Sequence, residues 1–148
     1  MPQTNTRIPE PTRPYNHHTP IQLRFNDVDM FGHVNNAVYF QFFDLGKLRY
    51  FEDVLGKDFA KKGFTAVVVN VNCDFFAPSF MDDSLEVATA VVAIGEKSIT
   101  LEQRLVKSDS GEVKSICTTV MAGFDAATLK SAPIPVHFRN IISAFERF

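Results

Sequence analysis

Apolar and polar positions divide this chain into one short strand, one long helix and four further strands. Ile21, Leu23 and Phe25 alternate with Gln22 and Arg24, the period of a strand with one buried face. Residues 26–32 interrupt it with turn-forming types. From Ala37 to Leu55 there is no proline and one glycine, Gly46. Val38, Tyr39, Phe42, Phe43, Leu45, Leu48, Phe51, Val54 and Leu55 make a wide apolar face, with Gln41, Asp44, Glu52 and Asp53 on the narrower polar side. Such a helix is mostly buried. Asn35 or Asn36 is a suitable N-cap, because an Asn side-chain oxygen accepts an unpaired N–H of the first turn, and Gly56 is a suitable stop.

Four strand-like runs follow. Val67, Val69, Val71, Cys73 and Phe75 alternate with Asn70, Asn72 and Asp74. Residues 85–94 are β-rich. Ile99, Leu101 and Leu105 alternate with Thr100, Glu102 and Arg104, and Asp109-Ser110-Gly111 then turns the chain into a last strand over 113–124. Residues 136–145 form a short amphipathic stretch. One strand, one buried helix and four strands in antiparallel succession predict an α+β fold. In it, a five-stranded antiparallel sheet wraps one long central helix. Residues 1–19 carry four prolines and no periodicity, which predicts a flexible N-terminal arm before a single domain over 20–148. His17 and His18 fall at the end of that arm with no ligand partner at metal spacing, so they read as a solvent-exposed loop.

Composition narrows the function. A net charge of −2 shows no excess of basic residues, which argues against nucleic acid as a partner. No apolar run approaches the ~20 residues a membrane span needs, and no apolar h-region of a signal peptide opens the chain. Cys73 and Cys117 are far apart in sequence, each within a strand-like run. They fit reduced, buried thiols of a cytoplasmic protein better than a disulfide framework.

The candidate chemistry lies in the turn before the helix. Asp27 and Asp29 precede a helix N-terminus, where unpaired N–H groups favour negative charge and can receive a developing oxyanion. A carboxylate beside such donors suffices for acyl transfer or hydrolysis. The same Asp-x-Asp can be turn capping or half a metal site, and His33 can be a base or a structural residue.

The run Asp27-Val28-Asp29-Met30-Phe31-Gly32-His33-Val34-Asn35-Asn36-Ala37-Val38-Tyr39 resembles the signature of hotdog-fold acyl-CoA thioesterases of the 4-hydroxybenzoyl-CoA thioesterase type. Asn72-Cys73-Asp74-Phe75-Phe76-Ala77-Pro78, followed by Asp82-Asp83-Ser84-Leu85-Glu86-Val87, is similar to the family's next two strands and the turn between them. The resemblance implies that Asp29 is the catalytic nucleophile or general base and that Asp27 shapes the turn. It implies close backbone passage at Gly32, and carbonyl polarisation by N–H groups around Asn35 and Asn36. His33 and Asn35 would hold the loop, and Tyr39 would face the pocket or a partner subunit. The family member that gives the type its name carries aromatic residues where this chain has Asn35-Asn36, which favours an aliphatic acyl group. The resemblance further implies a homodimer or homotetramer, joined edge to edge with sites between subunits. It implies no metal and no organic cofactor, CoA entering only as part of the substrate. Lys61, Lys62, Arg104 and Lys107 are candidates for its phosphates. A thioesterase acting on acyl carrier protein and a non-catalytic acyl-CoA-binding module are the alternatives.

Overall fold

The computed structural model describes residues 5–148. Its elements are β1 (His17–Ile21), a 3-10 turn at Phe25–Asp27, α1 (Asn36–Leu55), β2 (Ala66–Phe75), β3 (Leu85–Ile94), β4 (Ser98–Lys107), β5 (Val113–Asp125), β6 (Lys130–Ser131) and α2 (Val136–Glu146). The sheet is antiparallel in the order β1-β3-β4-β5-β2, and the two-residue β6 adds to β5. The expected α+β architecture is therefore present, with a sixth short strand beyond the five expected. The first four residues of the expected arm lie outside the described residues.

α1 forms where expected. The Asn35 side chain accepts the Ala37 N–H at 3.0 Å, and Gly56, at φ +97°, ends the helix. Its buried face differs in detail. Gly46, Lys47 and Tyr50 are buried, while Leu48 is 44% exposed. The reason is the closeness of helix to sheet at Gly46. A Cβ there would stand 2.6 Å from Val87 Cγ1 and 2.9 Å from Gln103 Nε2. Val87 is fully buried, and Gln103 is held by bonds to the Phe43 carbonyl and Thr89 Oγ1, so neither can yield cheaply. The clash is expected to cost about 1–3 kcal/mol, of which a helix-propensity gain of about 1 kcal/mol offsets part, so Gly46→Ala is expected to destabilise the fold by up to about 2 kcal/mol. Chemical denaturation measures it, and an unchanged midpoint would contradict this packing.

Two strand readings need correction. β1 spans His17–Ile21, not 21–25, and Phe25 is 86% exposed. Polar side chains, His17 and Thr19, take the inward positions that apolar alternation would have assigned to Leu23 and Phe25. His17 is accordingly not a loop residue. It is buried, its Nε2 lies 2.8 Å from Asp53 Oδ2, and its ring meets Tyr50 edge-on. In β2 the alternation changes phase at a bulge between Val68 and Asn70. Ala66 and Val68 face the helix side with Met121, and after the bulge Cys73 and Phe75 do.

Register builds one row across the whole inner face. His17 pairs with Thr89, Thr89 with Gln103, Gln103 with Cys117, and Cys117 with Cys73. Directly opposed residues share a face, so five polar or sulfur-bearing side chains cross the sheet beneath α1. Apolar clusters flank the row. Tyr39, Phe42 and Phe43 pack with Val87 and Leu105 on one side, and Tyr50, Phe51 and Leu55 with Leu101, Phe138 and Ile142 on the other.

On the outer face, Glu102 and Arg104 are buried beneath the segment before β1. Thr12 and Tyr15 donate hydroxyl hydrogens to Glu102, and Arg104 donates to the Tyr15 hydroxyl and the Pro9 carbonyl. Burial and the adjoining Glu102 carboxylate raise the Tyr15 pKa.

Candidate active site at the start of the central helix

The loop between β1 and α1 is held from its base. Asp27 is 2% exposed, and its carboxylate accepts the Arg24 backbone N–H at 2.9 Å and the Arg24 guanidinium at 3.2 Å. Its carbonyl accepts the Asn35 N–H at 2.9 Å. A bridge between Val28 and Val34 closes the neck, and the Asp29 N–H reaches the His33 carbonyl at 3.1 Å. Gly32 turns the tip at φ +84°. A Cβ on Gly32 would meet nothing within 4 Å, so its left-handed backbone, not close passage, is what calls for glycine.

Asp29 sits half-buried in this loop. Its Oδ1 accepts the Phe31 N–H at 2.9 Å, while Oδ2 has no partner among the described residues. One oxygen is thus used to orient the carboxylate and one is left over. The His33 ring stacks on Phe31 at 6.4 Å and meets Phe80 edge-on at the same distance. Its carbonyl, not its ring, makes the loop bond.

The helix start is nearly satisfied. Ala37 N–H goes to the Asn35 side chain and Val38 N–H to the Asn35 carbonyl. The Asn36 N–H has no partner among the described residues. A groove of about 270 Å³ opens beside it, lined by His33, Val34, Asn36 and the strand end Phe75, Phe76, Ala77 and Pro78. Tyr39 lies beneath, fully buried, and its hydroxyl donates to Ser79 Oγ at 2.7 Å. Burial raises its pKa. Ser79, itself buried, also accepts the Val34 N–H through its carbonyl at 2.7 Å, so it ties the Pro78 turn to both loop and helix. In the sequence Ser79 is marked only by its place just after Pro78, in a turn.

A second, more apolar groove of about 390 Å³ follows α1 towards its C-terminal half, between Leu48, Phe51, Phe59, Phe64, Val68 and Met121. Of the basic candidates, Arg104 is removed by its burial under the outer segment. Lys62 lies 3.4 Å from Asp58 and Lys107 3.7 Å from Asp83, while Lys61 is exposed. Among the described residues no group of three or more His, Cys, Asp or Glu side chains could hold a metal ion, and no helix is long and apolar enough to cross a membrane.

Known proteins match this arrangement over most of its length. The sequence profile of the Thioesterase-like superfamily matches residues 23–142. The long-chain acyl-CoA thioesterase FadM of Escherichia coli (strain K12) is 28% identical over 127 residues, 82% of this chain and 93% of its own. YsmA of Bacillus subtilis (strain 168) is 31% identical over 81 residues, a match spanning about half of either protein (55% and 54%). A crystal structure of a thioesterase from Thermus thermophilus, complexed with coenzyme A and Zn, superposes with a TM-score of 0.78 at 28% identity, covering 88% of this chain and 94% of that one. With its helix wrapped by an antiparallel sheet and its profile match, the chain belongs to the thioesterase-like superfamily of hotdog-fold thioester hydrolases.

Proposed function

We propose that the protein is an acyl-CoA thioesterase whose site lies between the Asp29 loop and the first turn of α1. The unpartnered Asn36 N–H beside a groove, one loop away from a carboxylate with a free oxygen, is the observation that carries this reading. The thioester carbonyl oxygen would take the Asn36 N–H, with the helix dipole favouring the charge that develops on it. As general base, Asp29 would accept a proton from water while the water oxygen bonds to the carbonyl carbon. The oxyanion would then collapse, break the C–S bond and release CoA thiolate and the acid. As nucleophile, Asp29 would itself attack the carbonyl carbon, the C–S bond would break with CoA thiolate leaving, and water would cleave the resulting mixed anhydride to the acid and the free Asp29 carboxylate. Asp27, Gly32, His33 and Asn35 shape and hold the loop, and Tyr39 supports the pocket floor through Ser79.

The groove along α1 supports an aliphatic acyl group, since Leu48, three Phe, Val68 and Met121 make most of its wall, with Asp44, Lys47 and Thr65 as its polar members. The edge strand β2 supports a homodimer or higher homo-oligomer. Val67, Val68, Val69 and Val71 on it are 40–59% exposed, an apolar edge that a second copy would cover.

The test is release of free CoA thiol from a panel of short, long and aromatic acyl-CoAs. Turnover of a long aliphatic member above the aromatic one is expected. Preference for the aromatic member would overturn the aliphatic assignment. No release from any member would overturn the acyl-CoA thioesterase reading and favour a carrier-protein substrate or a binding module.

A further inference from the structure

Cys73 and Cys117 lie 44 positions apart in the chain, yet the sheet sets them directly opposite each other on β2 and β5. The hydrogen-bond pattern fixes what kind of pair they are. The Phe76 N–H donates to the Lys114 carbonyl at 2.8 Å, which makes 76 and 114 a hydrogen-bonded pair. Antiparallel pairs alternate, so 73 and 117, three steps along on the same side of the β2 bulge, form a non-hydrogen-bonded pair. Such pairs hold their Cα atoms about 4.5 Å apart with side chains turned towards each other, inside the roughly 4.4–6.8 Å range a disulfide spans. Both thiols are free, and the register sets them directly opposite each other. Ser115 Oγ lies 3.2 Å from Cys73 on the same face.

The two sulfurs differ in a useful way. The neighbouring Cys117 thiol brings the Cys73 thiol down to about 7 against the opposing effect of burial, with Ser115 assisting. The adjacent Cys73 sulfur and its own burial push Cys117 up. Lys47, buried and paired with Asp44, faces Cys117 as the nearby positive charge, and Asp74 stands beside Cys73 as the negative one. Cys73 is half-buried on an edge strand between the exposed Asn72 and Asp74, while Cys117 is 1% exposed. One cysteine is therefore half-buried and thiolate-forming, and the other is shielded and stands directly opposite it.

We infer that Cys73 and Cys117 are a peroxide-responsive thiol pair that closes to an intrachain disulfide. The Cys73 thiolate attacks hydrogen peroxide, breaks the O–O bond, and becomes a sulfenic acid with loss of hydroxide. The Cys117 sulfur then attacks the sulfenic sulfur, and the S–O bond breaks. The departing hydroxide takes up the Cys117 proton as water. Two electrons leave the thiols and reduce one peroxide to water. The link joins strands that are already paired, so it needs no rearrangement of the sheet, and it pins the strand end at Phe75 that borders the groove beside Asn36.

The test exposes the full-length, reduced protein to hydrogen peroxide and follows free thiols, intact mass and mapped peptides. Loss of both thiols is expected, with a mass lower by two hydrogens, one peptide joining Cys73 to Cys117, and full recovery in dithiothreitol. Cys117→Ser should stop at a dimedone-trappable sulfenic acid on Cys73. Free thiols that persist, direct passage of Cys73 to sulfinic acid in the parent, or a link between two copies would each overturn the inference. The parent alone decides the matter if the variant does not fold. Thiol state is read directly, so the result is independent of whether the protein hydrolyses acyl-CoA.

Discussion

Asp29→Asn is expected to lower the turnover of the best acyl-CoA by a factor on the order of 10² or more, the scale of a lost general base or nucleophile. Such a fall corresponds to at least about 2.7 kcal/mol of transition-state stabilisation. The substitution isolates charge from shape. An amide oxygen can still accept the Phe31 N–H that Oδ1 now accepts at 2.9 Å, so the loop keeps its anchor. The buried carboxylate that ties the neck together belongs to Asp27, which is untouched. The thermal midpoint should therefore stay near that of the parent while kcat falls. Equal thiol release by parent and variant would reduce Asp29 to a turn-forming residue. A large fall in midpoint would mean that its role is structural.

The largest loss of stability is expected from Tyr50→Ala, at about 3–5 kcal/mol. Tyr50 is fully buried between α1, β1 and α2, with Phe51, Phe145 and His17 around its ring. Its hydroxyl donates to Glu146 Oε1 at 2.7 Å, and that same oxygen accepts the Val91 N–H at 3.1 Å. Val91 lies past Thr89, the last β3 residue that β1 covers, so the α2 carboxylate completes the sheet where the edge strand stops. Truncation empties the ring's space and removes one partner from a buried carboxylate. Tyr50→Phe separates the two effects by keeping the ring, and should cost about 1–3 kcal/mol. pH gives a second check. Burial, and then the Glu146 carboxylate, raise the Tyr50 pKa, so the folded state retains this proton longer than the unfolded chain does. The associated stability is fully present below about pH 10, the unfolded value, and is lost as pH rises beyond it. Tyr15 and Tyr39 are shifted the same way, so Tyr50→Phe should flatten the alkaline decline without abolishing it. A decline as steep as the parent's would contradict the assignment.

Strands and helices are legible wherever burial follows hydrophobicity. α1 and the runs of β3, β4 and β5 lie within a few residues of where their apolar periods put them. The reading fails where polar groups are buried in pairs. Apolar alternation puts β1 four residues late because His17 and Thr19 occupy its inward positions, and His17 is buried with its Nε2 against Asp53. The outward run of β4 resembles a solvated face, but Glu102 and Arg104 are covered by the segment around Pro9, Thr12 and Tyr15. In β2, strict alternation hides a bulge, since a sequence of valines looks the same from either face.

The amino-acid sequence by itself determined the α+β class, the long helix capped by Asn35, and the Asp27–Asn36 signature before it. These depend on local spacing, capping chemistry and the period of apolar residues, which a single chain carries openly. Tertiary structure alone decided that Asp27 is locked in the loop while Asp29 keeps a free oxygen, because two acids of one motif differ only in their surroundings. It alone brought Ser79 under the helix start and Gly46 onto Val87. Strand register, a long-range choice that no local pattern encodes, aligned His17, Thr89, Gln103, Cys117 and Cys73 in one row and so made two distant thiols neighbours.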